Sequence, residues 1–513
     1  MKWKMQISKR VIELISLIYI YISLLIFLWG WCRPLAALVS TAVIFYAVYM
    51  LDKENRENNE IIIIDIRAFI FTAIFLLAIG YYAGYGRFTL QTYDWMKHNA
   101  IFYDLSNKSW PVYYHNGDED SMLTYYLGQY MVPGLVGKIV HSGRVAEKVN
   151  LIWAVLGLIL VDLNVLKVLR IKKTGIQAVT PVLLTFFSCP LVLAQIIQAA
   201  LNNGGTSFGD FEWFLYAGEL KLQYSSNYIL ITWAFPQAIV MWITVTLWIE
   251  HKDKIKHYVA ILLPAMFYGI LSFLGVIPLA LVMAVYTIIK KKNLKASLKN
   301  LFSISNILMT ATVGFVLLAY YYGNVTGEKP GDIGFKLVDY SGGNIKQYFI
   351  FVIVMIGIYT VCLWKNNRKN VIFISSLTEL VILPLFTMGL YNDWLLRVSI
   401  PALFVFFMLI LSFFNDLSEG KIEIKKNGWQ AALLVVMLTF GSVYPLRQLG
   451  IIFAYDNVFY VESQLEWSTL ENFANRADES LGDDIKYNYY SYDIEDNFFY
   501  KYLSRKQIDS DAN

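Results

Sequence analysis

Asp94, Lys97, His98 and Asp104 fall within one short polar stretch, directly after an apolar run that ends near Tyr85. A carboxylate in reach of a bound hydroxyl can take its proton during nucleophilic attack. A nearby cation can meet negative charge that builds on a departing group. We read this stretch as the place where a membrane-embedded enzyme would hold its catalytic carboxylate, Asp94, with Lys97, His98 and Asp104 around it. An ordinary solvated loop is the competing reading. A second cluster, Asn392-Asp393-Trp394 followed by Arg397, supplies the best candidate cation for a phosphate, because a guanidinium binds phosphate oxygens in a bidentate fork. Its competing role is an interfacial arginine paired with Asp393. A third, Gln223-Tyr224-Ser225-Ser226-Asn227, offers Tyr224 and Asn227 as a further wall of a site, or else a helix start. Glu379 lies inside an apolar run and must be paired or face a cavity.

The elements that position these residues are set by composition. Of 513 residues 57% are hydrophobic and only 16% charged, against about a quarter charged in soluble domains. Apolar runs of about 18 residues or more recur, each long enough for a bilayer. The chain therefore reads as an all-α polytopic membrane protein. Cys32, Cys189 and Cys362 lie far apart and suggest neither a disulfide framework nor a metal site. Basic residues before the first span place the N-terminus in the cytoplasm. Following the basic clusters loop by loop gives about thirteen spans and an external C-terminus. Residues 258–289 carry lysines at both ends and are interrupted by Pro264, Gly269, Gly275 and Pro278, so they are expected to form a hairpin of two helices. Residues 86–147 form the first large external loop, in which Met122 to Val140 is expected to make two short surface helices. The organisation is then an N-terminal hairpin over 1–65, a transmembrane body over 66–446 and an extracytoplasmic tail over 447–513.

A membrane helix followed at once by a long external loop with an early acid resembles the GT-C glycosyltransferases. The resemblance covers the spans and loop from about residue 66 onward. It implies a polytopic enzyme that takes a sugar from a polyprenyl-phosphate carrier to a glycan, lipid or protein acceptor. It implies that Asp94 is the general base, or a metal contact as in some branches, and that Lys97, His98, Asn99 and Asp104 line the same cavity. Two features depart from that pattern: a helical hairpin precedes the first matching span, and Asp94 is followed by Trp95 where some branches have a second acid. The expectation is a plasma-membrane glycosyltransferase acting on the outer face in cell-envelope polysaccharide or glycolipid assembly. Its partners are membrane lipids and a lipid-linked sugar, not nucleic acid. Rival readings are a polysaccharide polymerase, a flippase or transporter of lipid-linked sugars, and a non-catalytic scaffold.

Overall fold

The computed structural model describes residues 3–56, 60–91, 94–116, 119–201, 212–217, 220–325, 334–342, 344–389, 391–455, 469–473, 488–491, 494 and 496–505. A helix satisfies its own backbone, which an apolar surrounding cannot do for it, and helices dominate. Strand β1 (Lys4–Ser8) leads into α1 (Lys9–Trp31), and Pro34 opens α2 (Pro34–Asn55) at its first turn. Strand β2 (Ile61–Asp65) returns to pair antiparallel with β1. Asp65 then caps α3 (Ile66–Tyr82) by accepting the Arg67 amide at 3.0 Å. Next come α4 (Asp94–Asn107), the hairpin β3 (Tyr113–Asn116) and β4 (Glu119–Leu123), and α5 (Met131–Ile139). Helix α6 (Gly143–Leu169) is followed by α7 (Thr174–Phe186) and α8 (Leu191–Leu201), a pair bent by 45°. The short hairpin β5 (Leu215–Ala217) and β6 (Leu220–Leu222) precedes α9 (Asn227–Trp233) and α10 (Phe235–Glu250). Then follow α11 (Ile255–Phe267), α12 (Ile270–Lys291), α13 (Leu294–Leu301) and α14 (304–325). Strand β7 (Lys336–Leu337), α15 (Asn344–Asn367), α16 (Val371–Leu385), β8 (Phe386–Thr387), α17 (Asp393–Ser418), α18 (Ile424–Tyr455), β9 (Tyr490–Ser491) and a helical turn over Phe499–Leu503 follow.

Eight of these helices are long and apolar enough to cross a membrane, and the bent α7–α8 pair passes the same test as one unit. Four shorter apolar helices, α3, α10, α11 and α16, stand beside them. The protein is thus a multi-pass helical membrane protein by length and composition. One connected core runs from Leu17 of α1 to Tyr500.

The helix ends sort into two faces. At the basic face, His251 approaches Glu13 at 3.0 Å, Lys291 donates to the Asp253 carbonyl at 3.0 Å, and Lys365 reaches Asn427 at 3.2 Å. At the opposite face, Asn392 donates to the Lys221 carbonyl at 2.7 Å, Lys346 to the Leu201 carbonyl at 3.1 Å, and β7 pairs with β8. Helices α11 and α12 form the hairpin expected over 258–289. Their far ends meet through Lys291 and Asp253, and their turn at Tyr268-Gly269 packs at the opposite face.

Three sequence expectations are corrected. Residues 94–107 are a helix and not an open loop: Trp95, His98, Phe102 and Leu105 are buried at helical spacing on one side of α4. Met122 to Val140 is not two surface helices. Its first part completes β4, with Met122 opposite Tyr113 of β3 and Leu123 opposite Tyr490 in the tail, and only α5 is helical. The last long helix runs to Tyr455, so the tail begins later than residue 447. Its segment 498–503 docks on the α1–α2 turn, where the Arg33 amide donates to the Leu503 carbonyl at 2.7 Å and Arg505 to the Cys32 carbonyl at 3.0 Å.

The segment Thr124–Tyr130, here called the strap, presses on the α11–α12 turn. A Cβ on Gly128 would lie 2.5 Å from the Tyr268 ring. Gly128→Val is expected to lower stability by about 1–3 kcal/mol through overpacking, read as a fall in thermal midpoint in detergent. Gly175→Ala, where a Cβ meets nothing within 4 Å, is the control that should leave it unchanged.

Candidate functional site

Two turns built on glycine bring the starts of α4 and α17 into place. Gly84 adopts φ +94°, and a Cβ there would meet the Trp95 indole nitrogen at 2.9 Å, so only glycine lets α4 close on the end of α3. Gly389, at φ +80°, allows the Asp393 carboxylate to fold over it, and Asn392 caps α17 by accepting the Leu395 amide at 3.3 Å. The strap lies between the two helix starts.

The charges of these segments form two ion pairs within electrostatic reach of each other. Lys97 Nζ lies 3.2 Å from Asp94 Oδ1, one helical turn apart. Arg397 Nη2 lies 2.9 Å from Asp393 Oδ1, and Arg397 Nη1 donates to the Tyr126 hydroxyl at 3.0 Å. The Arg397 guanidinium sits 5.8 Å from the Tyr126 ring centre. Arg397 is close enough to act on the charges of Asp94 and Lys97, and Tyr489 from the tail is in reach of all three. The acids stand at the rim, with Asp94 46% and Asp393 35% exposed, and the cations lie deeper, with Lys97 10% and Arg397 20% exposed. Burial, the largest single influence, would raise the Asp94 carboxyl, but Lys97 together with His98 and Arg397 outweighs it and holds the group below its ordinary value. The same pairing overcomes burial on Lys97 and keeps it protonated.

Of the residues expected at the site, Asp94, Lys97, Asp393 and Arg397 are brought together. His98 is directly behind them and does not line the opening. It is 1% exposed, packed between Trp95 and Phe235, with Nδ1 2.6 Å from the Tyr130 hydroxyl. Burial, then the Lys97 charge, hold it well below its ordinary value, so it is a neutral support for the strap. Asp104 is elsewhere. Ten residues along α4 it faces the β3 hairpin and the tail, where Oδ2 accepts from the Tyr114 hydroxyl at 2.8 Å and from the Leu470 amide at 2.9 Å. Tyr224 and Asn227 do not join the cluster either. The Tyr224 hydroxyl donates to the Leu380 carbonyl and the Asn227 amide to the Leu184 carbonyl at 2.7 Å, so both tie helix backbones together. The sequence reading missed Tyr126, Tyr130 and Tyr489. The signal for them was the tyrosine doublets Tyr125-Tyr126, in the long segment between α3 and α6, and Tyr489-Tyr490, in the polar tail.

The arrangement can bind an anion on Arg397 and Lys97 next to a carboxylate that accepts hydrogen bonds from a hydroxyl, with tyrosine faces for an apolar or sugar surface. Asp94 and Asp393 each face a cation, a donor set that does not suit a divalent ion. Among the described residues no three His, Cys, Asp or Glu side chains gather as metal ligands. No protein family model, curated protein or solved structure matches the chain.

The Asp104 carboxyl carries a pH prediction. Burial and then Glu471 push it up to about 6, against the pull of Lys108, the Leu470 amide and Tyr114. A carboxyl raised on folding binds its proton more tightly in the folded state. Its favourable contribution is complete below about pH 4 and falls as pH rises to about 6, by about 3 kcal/mol in all. Protection of the amides from Thr469 to Phe473 against hydrogen exchange, taken relative to their intrinsic rates at each pH, should therefore fall across that window in the wild type. In Asp104→Asn, which keeps an acceptor and loses the charge, it should stay flat.

Proposed function

We propose that the protein is a GT-C-like membrane glycosyltransferase that moves a sugar from a polyprenyl-phosphate donor to a cell-surface acceptor on the outer face of the membrane. The observation that supports this reading is the meeting of Asp94 and Lys97 with Arg397 and Asp393 across Tyr126, from opposite halves of the chain. In this reading the acceptor hydroxyl attacks the anomeric carbon and its proton passes to Asp94. The bond from that carbon to the lipid phosphate breaks, and the phosphate leaves onto Arg397 and Lys97. Asp94 is a weak base while Lys97 is bound to it alone. A donor phosphate competes for Lys97, relieves that pull and lets the carboxylate become more basic as the substrate arrives. Tyr126 and Tyr489 supply faces for the sugar.

The finer topology belongs to the same proposal. Taking the eight long helices, the bent pair and the four shorter apolar helices each as a crossing gives thirteen. The basic face is then cytoplasmic, with the N-terminus, and the site face lies outside, with the C-terminal tail. A flippase of lipid-linked sugars is the second reading, favoured by Glu379. Its residue is 8% exposed, and neither carboxylate oxygen has a hydrogen-bond partner among the described residues.

Two measurements decide. Asp94→Asn should reduce sugar transfer in membranes by roughly 10²-fold or more while the protein stays folded, and Arg397→Lys should lower turnover more than Lys→Arg changes at the basic face. Full activity of Asp94→Asn removes the proposed mechanism. Movement of a lipid-linked sugar across liposomes without transfer, lost in Glu379→Gln, favours the flippase. For sidedness, cysteines at Leu337 or Tyr391, both exposed at the site face, should react with an impermeant maleimide in intact cells, and one at Lys425 should not. The reverse pattern sinks the outer-face assignment.

A further inference from the structure

A cavity of about 320 Å³ opens at the basic face, on the other side of the molecule from the Asp94 cluster. It lies where the start of α1, the ends of α6 and α10, the start of α16 and one side of α17 converge. Its rim is polar: Lys9, Arg170, Glu250, Lys252, Asn370 and Ser412. Its depth is apolar. On α17 the lining residues Val405, Met408, Leu409 and Ser412 follow one another at helical spacing, so the hydroxyl stands at the basic end of a stripe that becomes wholly apolar toward the middle of the bundle.

The charge at the rim is not balanced. Lys9 is matched by Glu60 and lies 3.8 Å from Glu250. Arg170 is held only loosely, 3.7 Å from Glu60 with 69% of its side chain exposed. The Lys252 ammonium has no partner among the described residues. Asn370 uses its carbonyl oxygen to cap α16 through the Ile372 amide at 3.1 Å, which leaves its amide hydrogens to donate outward. Two cations and two neutral donors therefore face one opening with surplus positive charge. A soluble anion would use this rim but not the apolar depth. An acyl chain would use the depth but not the rim. The volume falls at the small end of the roughly 300–1,000 Å³ of ligand pockets, enough for a headgroup and the start of one chain.

We propose that this cavity binds one anionic phospholipid, its phosphate on Arg170, Lys252, Asn370 and Ser412 and its upper acyl chain along Val405, Met408 and Leu409. Basic pockets between membrane helices recognise anionic headgroups through this combination of charge and depth. Glu250 is the one acid lining the rim against Lys9, Arg170 and Lys252, and it lies 3.8 Å from Lys9, so the surplus positive charge favours an anionic headgroup over a zwitterionic one. The inference rests on the membrane placement of the helices and not on the transfer reaction.

The test uses the purified full-length protein in neutral detergent. Dioleoylphosphatidylglycerol, phosphatidylcholine, phosphatidylethanolamine and glycerol phosphate are titrated in turn and followed by native mass spectrometry and by the thermal midpoint. Phosphatidylglycerol should bind saturably with one tight copy and raise the midpoint, and the two zwitterionic lipids and glycerol phosphate should do neither. The double variant Arg170→Gln and Lys252→Gln removes two exposed or half-buried charges and should weaken that binding roughly tenfold or more. Met408→Trp, which fills the apolar depth without changing charge, should weaken it as well. Lys299→Gln with Lys425→Gln, exposed at the same face, should leave it unchanged. Equal binding of the zwitterionic lipids, equal loss in the control pair, or full stabilisation by glycerol phosphate alone would each overturn the proposal.

Discussion

Buried backbone that is neither helix nor sheet has to find its hydrogen-bond partners elsewhere, and at the site face it finds them on tyrosine hydroxyls. The strap from Thr124 to Tyr130 is buried along nearly its whole length. The Tyr320 hydroxyl of α14 accepts the Tyr125 amide at 3.0 Å and donates toward the carbonyls of Tyr125 and Leu123. Tyr321 donates to the Met266 and Phe267 carbonyls at 3.2 Å, and the Gly128 amide donates to the same Phe267 carbonyl. The Thr124 amide reaches the Tyr489 carbonyl at 2.8 Å. A phenol suits this task because its ring packs in the core while its oxygen both donates and accepts. The placement of Tyr126 under Arg397, and of Tyr130 against His98, follows from this set of contacts.

The chain of dependence continues into α4. Tyr130 and Phe235 enclose the His98 ring, and Trp95 stacks on Phe235 at 5.4 Å. That packing fixes the rotation of α4, and with it the side on which Asp94 and Lys97 emerge. Asp104 fixes the other end of the same helix through Tyr114 and Leu470. The acid read from the sequence as part of the site is instead the anchor that keeps the helix carrying the site in register with the tail.

The long helices were legible because length, apolarity and the alternation of basic clusters are local properties of sequence. The α11–α12 hairpin is the clearest instance: Lys254 and Lys256 before it and Lys290 to Lys292 after it require both ends on one face, and the Lys291–Asp253 contact joins them. The stripe Trp95, His98, Phe102 and Leu105 was also present in the sequence, but the charges between these residues masked it as a loop. What was not legible depends on partners far away in the chain. β1 finds β2 across a complete helical hairpin, β4 finds β9 in the tail, and Tyr224 and Asn227 look like site residues until the carbonyls of Leu380 and Leu184 take up their polar atoms. The meeting of Asp94 with Arg397 is of the same kind. Each acid–base pair is visible at helical spacing, but only the strap between α4 and α17 makes them one cluster.

The depth ordering of that cluster bears on what it can do. With the carboxylates at the rim and the cations beneath, an approaching anion meets negative charge first and can reach Lys97 or Arg397 only by displacing a paired acid. A simple anion gains little from that exchange, because each cation gives up one carboxylate to take on one phosphate. A ligand that brings a hydroxyl along with its phosphate gains more, since the displaced carboxylate then has a donor to accept from. Within the proposed transfer reaction, this ordering would favour substrates in which phosphate and hydroxyl arrive together over either group alone. Tyr126, half-buried and bonded to Arg397, is the side chain that must yield for that exchange to occur.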